Sequence, residues 1–209
     1  VRGQVSRLFS DSTSAQGTIA NGFLSLDSNG FSLNGAGSGG EVNALNRTYV
    51  AWCWKAGGAP TATNSAGAGN VPTAGSVKID GADSTTALAG TIAATSISAN
   101  TDAGFSIVEW SSSGVLATVG HGLDSAPELI IGKGINWSSS WPVYALPVGN
   151  NKKMSLNDSI EAHTSTIWGN TTPTTTTFNQ DFTGTTNRTS IAYCFHSVDG
   201  YSDIGSYIG

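Results

Sequence analysis

The side chains that most often perform catalysis are few in this chain and widely spaced. His121, His163 and His196 show none of the His-x-His, His-x-x-x-His or His-Glu-x-x-His spacings that bring metal ligands or a base together. No Gly-x-Ser-x-Gly sequence is present to expose a serine nucleophile at a tight turn. Because no set of residues with a known mechanism can be assembled from these spacings, we predict that the protein is not an enzyme and has no catalytic residues.

Two acidic segments and one glycine-rich stretch come nearest to a metal or cofactor site. Residues 80–83 and 199–203 each place two aspartates close together, but Ca²⁺ takes at least about six oxygen ligands. Asp followed by Gly is equally typical of turns. Residues 35–40 satisfy the Gly-x-Gly-x-x-Gly pattern, yet no helix is predicted after them to receive a phosphate. We therefore predict no metal site and no cofactor.

Aromatic residues offer a different chemistry, which is stacking on the face of a sugar. Four of them lie among Ser, Asn and Gly residues and form the candidate glycan-binding set: Trp137, Trp141, Tyr144 and Trp168. Aromatic rings also dominate the cores of small β-sandwiches, so the same residues could instead cap a core. The sequence leaves both interpretations open.

Short strands separated by turns must position these residues. Residues 23–26 and 31–33 alternate apolar and polar side chains around an Asp-Ser-Asn-Gly turn, which predicts a β-hairpin. Short apolar runs bounded by Gly, Ser, Asn or Pro predict further strands over 48–55, 104–110, 115–119, 128–131, 143–146 and 189–196. No segment sustains an apolar period of 3.6 residues, so we predict an all-β protein with less than about a tenth helix.

A nine-residue pattern occurs twice, at 46–54 and at 187–195. Both copies read Asn-Arg-Thr, a variable residue, a β-branched residue, Ala, an aromatic residue, Cys and a second aromatic residue. A match of this length indicates an internal duplication. We therefore predict that residues 51–55 and 192–196 are equivalent strands, with aromatic side chains alternating with Cys across the plane of the sheet.

The duplication divides the chain into three parts. Residues 1–58 match the C-terminal half of a first β unit, residues 100–209 form a complete second unit, and residues 59–99 form a linker or extended arm. The linker, rich in Gly, Ala, Ser and Thr, contains a predicted edge strand over 76–80. The expected architecture is a tandem of antiparallel β-sandwich or jelly-roll-like units.

The half unit and the cysteines carry two further expectations. A half unit leaves an apolar face uncovered, so residues 1–58 are expected to contact the later unit, upstream residues or a neighbouring copy. Cys53 and Cys194 occupy the same place in separate units, which puts them too far apart for a disulfide. We predict free and mostly buried thiols.

Composition limits the partners of the chain. Charged residues make up 11% of it, and its net charge is −5. An average domain has about 25% charged residues. Its nine Lys and Arg residues are scattered, so the basic patch that nucleic-acid binding needs is missing. No run of about 18 apolar residues is present, so no membrane insertion is predicted.

Several phrases of the sequence, taken together and in order, resemble a family of phage proteins. These phrases are 1–3, 23–31, 49–58, 98–107, 118–123, 126–130 and 191–201. They are similar to a repeated domain of uncharacterised function in virion and tail-fibre proteins of marine bacteriophages, including those that infect cyanobacteria and pelagic bacteria. No functional residues are established for that domain, so the resemblance assigns none here.

The resemblance implies a structural protein of the virion, part of a tail fibre, an appendage or a capsid-decorating fibre that presents a host-contacting surface. The implied partners are other virion proteins, further copies of the chain, with a trimer by analogy with phage fibres, and a host surface glycan. The aromatic set supports an alternative from another class, a carbohydrate-binding module of a bacterial surface or secreted protein.

Overall fold

The chain folds into β-strands and loops. A computed structural model describes residues 6–19, 22–34, 42–180 and 184–208. These residues form fifteen strands and no helix, which confirms the all-β prediction. The described part of the chain therefore has no helix long and apolar enough to cross a membrane.

The strands are numbered in chain order. Their bounds are β1 Ser6–Arg7, β2 Gly17–Thr18, β3 Phe23–Asp27, β4 Gly30–Leu33, β5 Val77–Ile79, β6 Ala82–Asp83, β7 Ala94–Asn100, β8 Phe105–Ser113, β9 Thr118–Gly120, β10 Leu129–Gly134, β11 Pro142–Ala145, β12 Lys152–Ser155, β13 His163–Thr164, β14 Thr177–Asn179 and β15 Thr186–Phe195.

One nine-stranded sheet dominates the structure. Its strand order is β13-β12-β11-β10-β15-β8-β7-β5-β6, and every pairing is antiparallel except that of β5 with β7. Three two-stranded sheets accompany it: β1 with β2, β3 with β4, and β9 with β14. The predicted hairpin is confirmed by β3 and β4, which pair around the turn between Asp27 and Gly30.

The central strand, β15, lies between β8 and β10. Ala192 stands opposite Val108 of β8 and Gly132 of β10. Because side chains alternate along a strand, even-numbered residues of β15 face one side of the sheet and odd-numbered residues face the other. Ala192 and Cys194 are completely buried on the even-numbered side.

The core lies on that side of the sheet, beneath the small sheet of β9 and β14. Its large rings include Trp110, Trp168 and Phe178, each about 1% exposed. Trp110 and Phe178 meet edge to face, with ring centroids 5.4 Å apart. Burial of each such side chain contributes roughly 1.5–3 kcal/mol, so this layer holds the two sheets together.

The segment 59–99 differs from the linker or extended arm that the sequence predicts. It contains β5, β6 and most of β7, and it adds Val77, Leu88 and Ile97 to the core. The strand expected over 76–80 is present as β5, but it lies inside the sheet, between β6 and β7. Small side chains such as Ala99 let the backbone pack closely here, so few large apolar residues are needed.

Candidate functional site

Two of the four predicted glycan-binding aromatics lie in the core. Tyr144 and Trp168 are each 1% exposed, and their rings meet edge to face with centroids 5.8 Å apart. Burial, with a smaller contribution from Glu128, raises the pKa of the Tyr144 hydroxyl. A buried ring has no free face, so stacking on a sugar is excluded for these two residues, and they act as core residues.

Trp141 and Trp137 lie elsewhere, and each is engaged by other residues. Trp141 is buried, and its indole Nε1 donates to the backbone carbonyls of Phe9 at 2.7 Å and Ser12 at 3.2 Å. Trp137 is half-buried, and the guanidinium of Arg188 lies 4.2 Å from its ring centroid. The four aromatics therefore do not form one stacking surface.

An apolar groove that sequence analysis missed lies on the opposite face of the large sheet. Its floor consists of the odd-numbered residues of the three central strands: Phe105 and Ile107 of β8, Leu129 and Ile131 of β10, and Tyr193 and Phe195 of β15. Its volume is about 1080 Å³. The sequence carried a signal for this second apolar face. β8, β10 and β15 each have large apolar residues at these odd-numbered positions, where a strand buried on one side only would carry polar residues.

Residues from both ends of the chain form the walls of the groove. Trp52 and Trp54 come from the N-terminal region, and Tyr201 and Ile204 come from the C-terminal region. Trp54 packs on the floor, with its ring centroid 6.3 Å from that of Phe105 and 6.0 Å from that of Phe195. Contact between residues 1–58 and the later unit is therefore observed.

A strap formed by residues 9–16 crosses the same face near Trp141. Lys133 of β10 is fully buried, and its Nζ donates to the carbonyls of Thr13 at 3.0 Å and Ser139 at 2.8 Å. Burial lowers the pKa of this amine. The amide of Gln16 also donates to the carbonyl of Ile135 at 2.8 Å. These contacts fix the strap to the sheet.

His196, at the rim of the groove, belongs to a cluster of polar side chains that resembles catalytic machinery. Its Nε2 lies 3.5 Å from a carboxylate oxygen of Asp124, and its Nδ1 donates to the carbonyl of Ser197 at 2.8 Å. The Ser197 hydroxyl donates to Glu128 and accepts from the amide of Ile204 at 3.0 Å. A serine nucleophile needs its hydroxyl on the base, whereas here the hydroxyl ties the C-terminal loop to Glu128.

His121 is a second buried histidine, and it belongs to the core. Its Nε2 donates to the carbonyl of Thr174 at 3.1 Å, and its Nδ1 accepts from the amide of Leu123 at 3.2 Å. Burial lowers its pKa to about 4, so the ring is neutral at pH 7. Within the described residues, no group of three or more His, Cys, Asp or Glu side chains could hold a metal ion.

The two copies of the repeat are placed very differently. The later copy is β15, whereas residues 46–55 form no strand and lie on the surface, with Val50 78% and Trp52 77% exposed. The prediction of two equivalent strands is therefore wrong for the first copy. Only the start is alike, because Asn46 and Asn187 share the left-handed conformation, with φ of 61° and 59°.

The end of this first copy and the residues that follow it, 50–56, make no backbone hydrogen bond with any other residue that the structure describes. The segment is anchored after its end, where the carbonyl of Gly57 accepts from the amide of Gly81 at 2.9 Å. A Cβ on Gly57 would lie 2.0 Å from the carbonyl oxygen of Ala99, so only glycine fits this close approach.

The cysteines show the same contrast. Both thiols are free, as predicted. Cys194 is completely buried, and burial raises its pKa to about 12. Cys53 is exposed, which corrects the expectation of a buried thiol, because the strand that would bury it is not formed.

Fold and groove together define an all-β domain with two apolar sheet faces and an exposed segment at residues 46–55. The chain belongs to a family of domains of unknown function, DUF7483, whose model matches residues 1–81 and again residues 76–209. Two matches along one chain agree with the internal duplication. No curated protein and no solved structure matches the chain.

Proposed function

We propose that this chain is a structural assembly module of a virion appendage, such as a tail fibre, that uses its apolar N-terminal surface to join neighbouring units. The observation that carries the proposal is the concentration of exposed apolar side chains between residues 23 and 54. They are Phe23, Leu24, Leu26, Leu45, Tyr49, Val50, Trp52 and Trp54, each between 41% and 81% exposed. Exposed apolar side chains in such number are typical of sites of protein association.

The chemistry of the surface supports assembly over catalysis. The pattern over 48–54 contains no charged side chain, so the Lys and Glu residues that usually protect open strands from pairing are missing there. The cluster around His196 holds a loop instead of presenting a nucleophile. The virion setting comes from the resemblance to phage fibre proteins, and in it the domain acts as a building block that performs no reaction.

Immunogold labelling tests this function. Particles are purified from cells that produce the protein and are labelled with antibodies raised against the purified chain. Label on the appendages of intact particles is the expected result. Antibody first absorbed with the purified chain is the control. Protein found only in the particle-free fraction contradicts the proposal.

A second candidate, a carbohydrate-binding module, is favoured by the aromatic rim of the groove. Trp52, Trp54 and Tyr201 are more than half exposed beside a polar corner that contains His196. Partly exposed rings next to hydrogen-bonding groups suit a sugar. A glycan array with the purified chain and its Trp52→Ala variant tests this function. Binding that Trp52→Ala abolishes supports the module, and a blank array contradicts it.

A further inference from the structure

We infer that residues 46–55 form a β-strand that completes the sheet of another DUF7483 domain, by inserting between the counterparts of its β8 and β10. The inference rests on the proposed assembly function and names the partner. That partner is a domain of the same family in which the place of β15 is vacant. Both copies of the repeat then serve as the strand between β8 and β10. The later copy does so within its own chain, and the first copy does so in another domain.

The internal repeat identifies the chemistry of the partner. β15 has the same pattern as residues 46–54, and it pairs on one side with β8 and on the other with β10. A strand bonded on both sides satisfies its backbone groups through both neighbours. In the exposed copy, the backbone groups of residues 50–56 have no such neighbours. Because this copy has the sequence pattern of β15, the partner that suits it is a β8 strand and a β10 strand with an empty place between them.

The two faces of the segment fit this position. In a β15-like strand, Val50, Trp52 and Trp54 would take the places of Ile191, Tyr193 and Phe195 on the groove side. Each of these replacements puts one large apolar residue in the place of another. On the core side, Ala51 would take the place of Ala192, which is completely buried beside Val108 and Gly132. A small residue is therefore kept where two strands leave little room.

Continuity and charge support the same position. Trp54 already packs on Phe105 and Phe195, which lie on the groove face of this chain's own sheet. The partner's sheet would offer an equivalent apolar face to the same segment. Arg188 stacks on Trp137 in the later copy, with its guanidinium 4.2 Å from the ring centroid. Arg47 is its counterpart and would stack on the partner's equivalent of that ring.

One position departs from the pattern and shapes the test. Tyr49 replaces Ser190, which is completely buried opposite Trp110. A tyrosine needs more space than this serine, so the natural partner should carry a smaller residue than Trp110 in its β8 counterpart. A test with strands of this same chain therefore uses Tyr49→Ser, which gives the segment the residue of its twin.

A fusion protein tests the pairing. Residues 59–180, which contain β5 to β14 and lack only β15, are placed ahead of residue 1 of the full Tyr49→Ser chain, so that the fused unit keeps the core rings Tyr144, Trp168 and Phe178. The readout is the labelling rate of the Cys53 thiol by a maleimide, followed by mass spectrometry of the peptides. The unfused Tyr49→Ser chain provides the reference rate. Because the twin Cys194 is completely buried, pairing should slow the labelling of Cys53 by about tenfold or more.

A matched variant separates specific pairing from general crowding. Ala51→Glu is neutral in the unfused chain, where Ala51 is exposed, but it places a carboxylate at the buried position in the paired strand. Protection of Cys53 in the fusion that Ala51→Glu removes supports the inference. Unchanged labelling in the fusion overturns it, and so does protection that persists with Ala51→Glu. Particle labelling is scored separately, so appendage labelling without Cys53 protection rejects only the pairing.

Discussion

The two copies of the nine-residue repeat show that one sequence pattern takes two structures according to its neighbours. Residues 187–195 lie in β15, bonded on both sides, with Ala192 completely buried. Residues 46–54 lie on the surface with Trp52 77% exposed. Both start at an Asn in the left-handed conformation, so the two copies share their first backbone turn. The difference teaches that strand formation here depends on available partner strands, because β propensity reflects packing more than backbone preference.

A buried carboxylate should give the largest difference between the copies. Ala192→Glu places an unpaired charge between β8 and β10, and we expect it to cost more than about 4 kcal/mol and to unfold much of the protein at pH 7. Ala51→Glu, at the matching exposed position, should change stability by less than about 0.5 kcal/mol. Urea unfolding followed by circular dichroism measures both. Equal losses would contradict the assignment of the two environments.

Removal of a large ring should give the next largest difference. Trp110→Ala opens a cavity beneath the sheet, because Trp110 is 1% exposed, and should cost about 3–5 kcal/mol. Trp52→Ala removes a ring that is 77% exposed and should change stability by less than about 0.5 kcal/mol. Urea titrations of the two variants provide the comparison. A large loss in Trp52→Ala would show that the first copy is already buried.

Acid should weaken the later region through His121. Its pKa is about 4 in the folded chain and 6.5 when unfolded, so between these values the unfolded chain binds a proton that the folded chain does not. Stability should fall by about 3 kcal/mol as the pH drops from 6.5 to 4, at about 1.4 kcal/mol per pKa unit. His121→Gln should flatten this dependence, and exposed His163→Gln should keep it. A steep dependence that survives in His121→Gln would refute the role of His121.

The smallest effect is expected at the strap that joins the N-terminal region to the sheet. Trp141→Phe keeps an aromatic ring but removes the indole donor to the carbonyls of Phe9 and Ser12. We expect a loss of about 1 kcal/mol and faster hydrogen exchange over residues 9–16. Trp137→Phe leaves both hydrogen bonds in place and is the control. Exchange that is unchanged in Trp141→Phe would mean that other contacts hold the strap.

The fold was predictable where the local pattern decides the structure. The hairpin of β3 and β4 follows from alternation around an Asp-Ser-Asn-Gly turn, and β15 follows from its run of β-branched and aromatic residues. The strands within 59–99 were not predictable in this way. β7 contains only one large apolar residue, Ile97, and packs through Ala and Ser side chains that are equally common in loops.

The candidate site was predictable only in part. The polar context of Tyr144 and Trp168 left open whether they lie on the surface or in the core, and tertiary packing places both in the core. The groove joins β8, β10 and β15, which lie far apart in the chain, so local patterns could indicate a second apolar face on each strand but not that the three faces meet in one groove. The uncovered face of residues 1–58 was expected from the duplication, and the exposed Val50 and Trp52 agree with it.

Thiol labelling of the native chain tests the central claim most directly, because each copy of the repeat carries one cysteine at the same position. The purified chain is treated with a maleimide at pH 7 and the labelled peptides are quantified over time. Cys53 should be labelled within minutes, while Cys194, whose pKa burial raises to about 12, should be labelled only after denaturation. Equal labelling rates at the two cysteines would contradict the claim that one copy is a buried strand and the other is exposed for a partner.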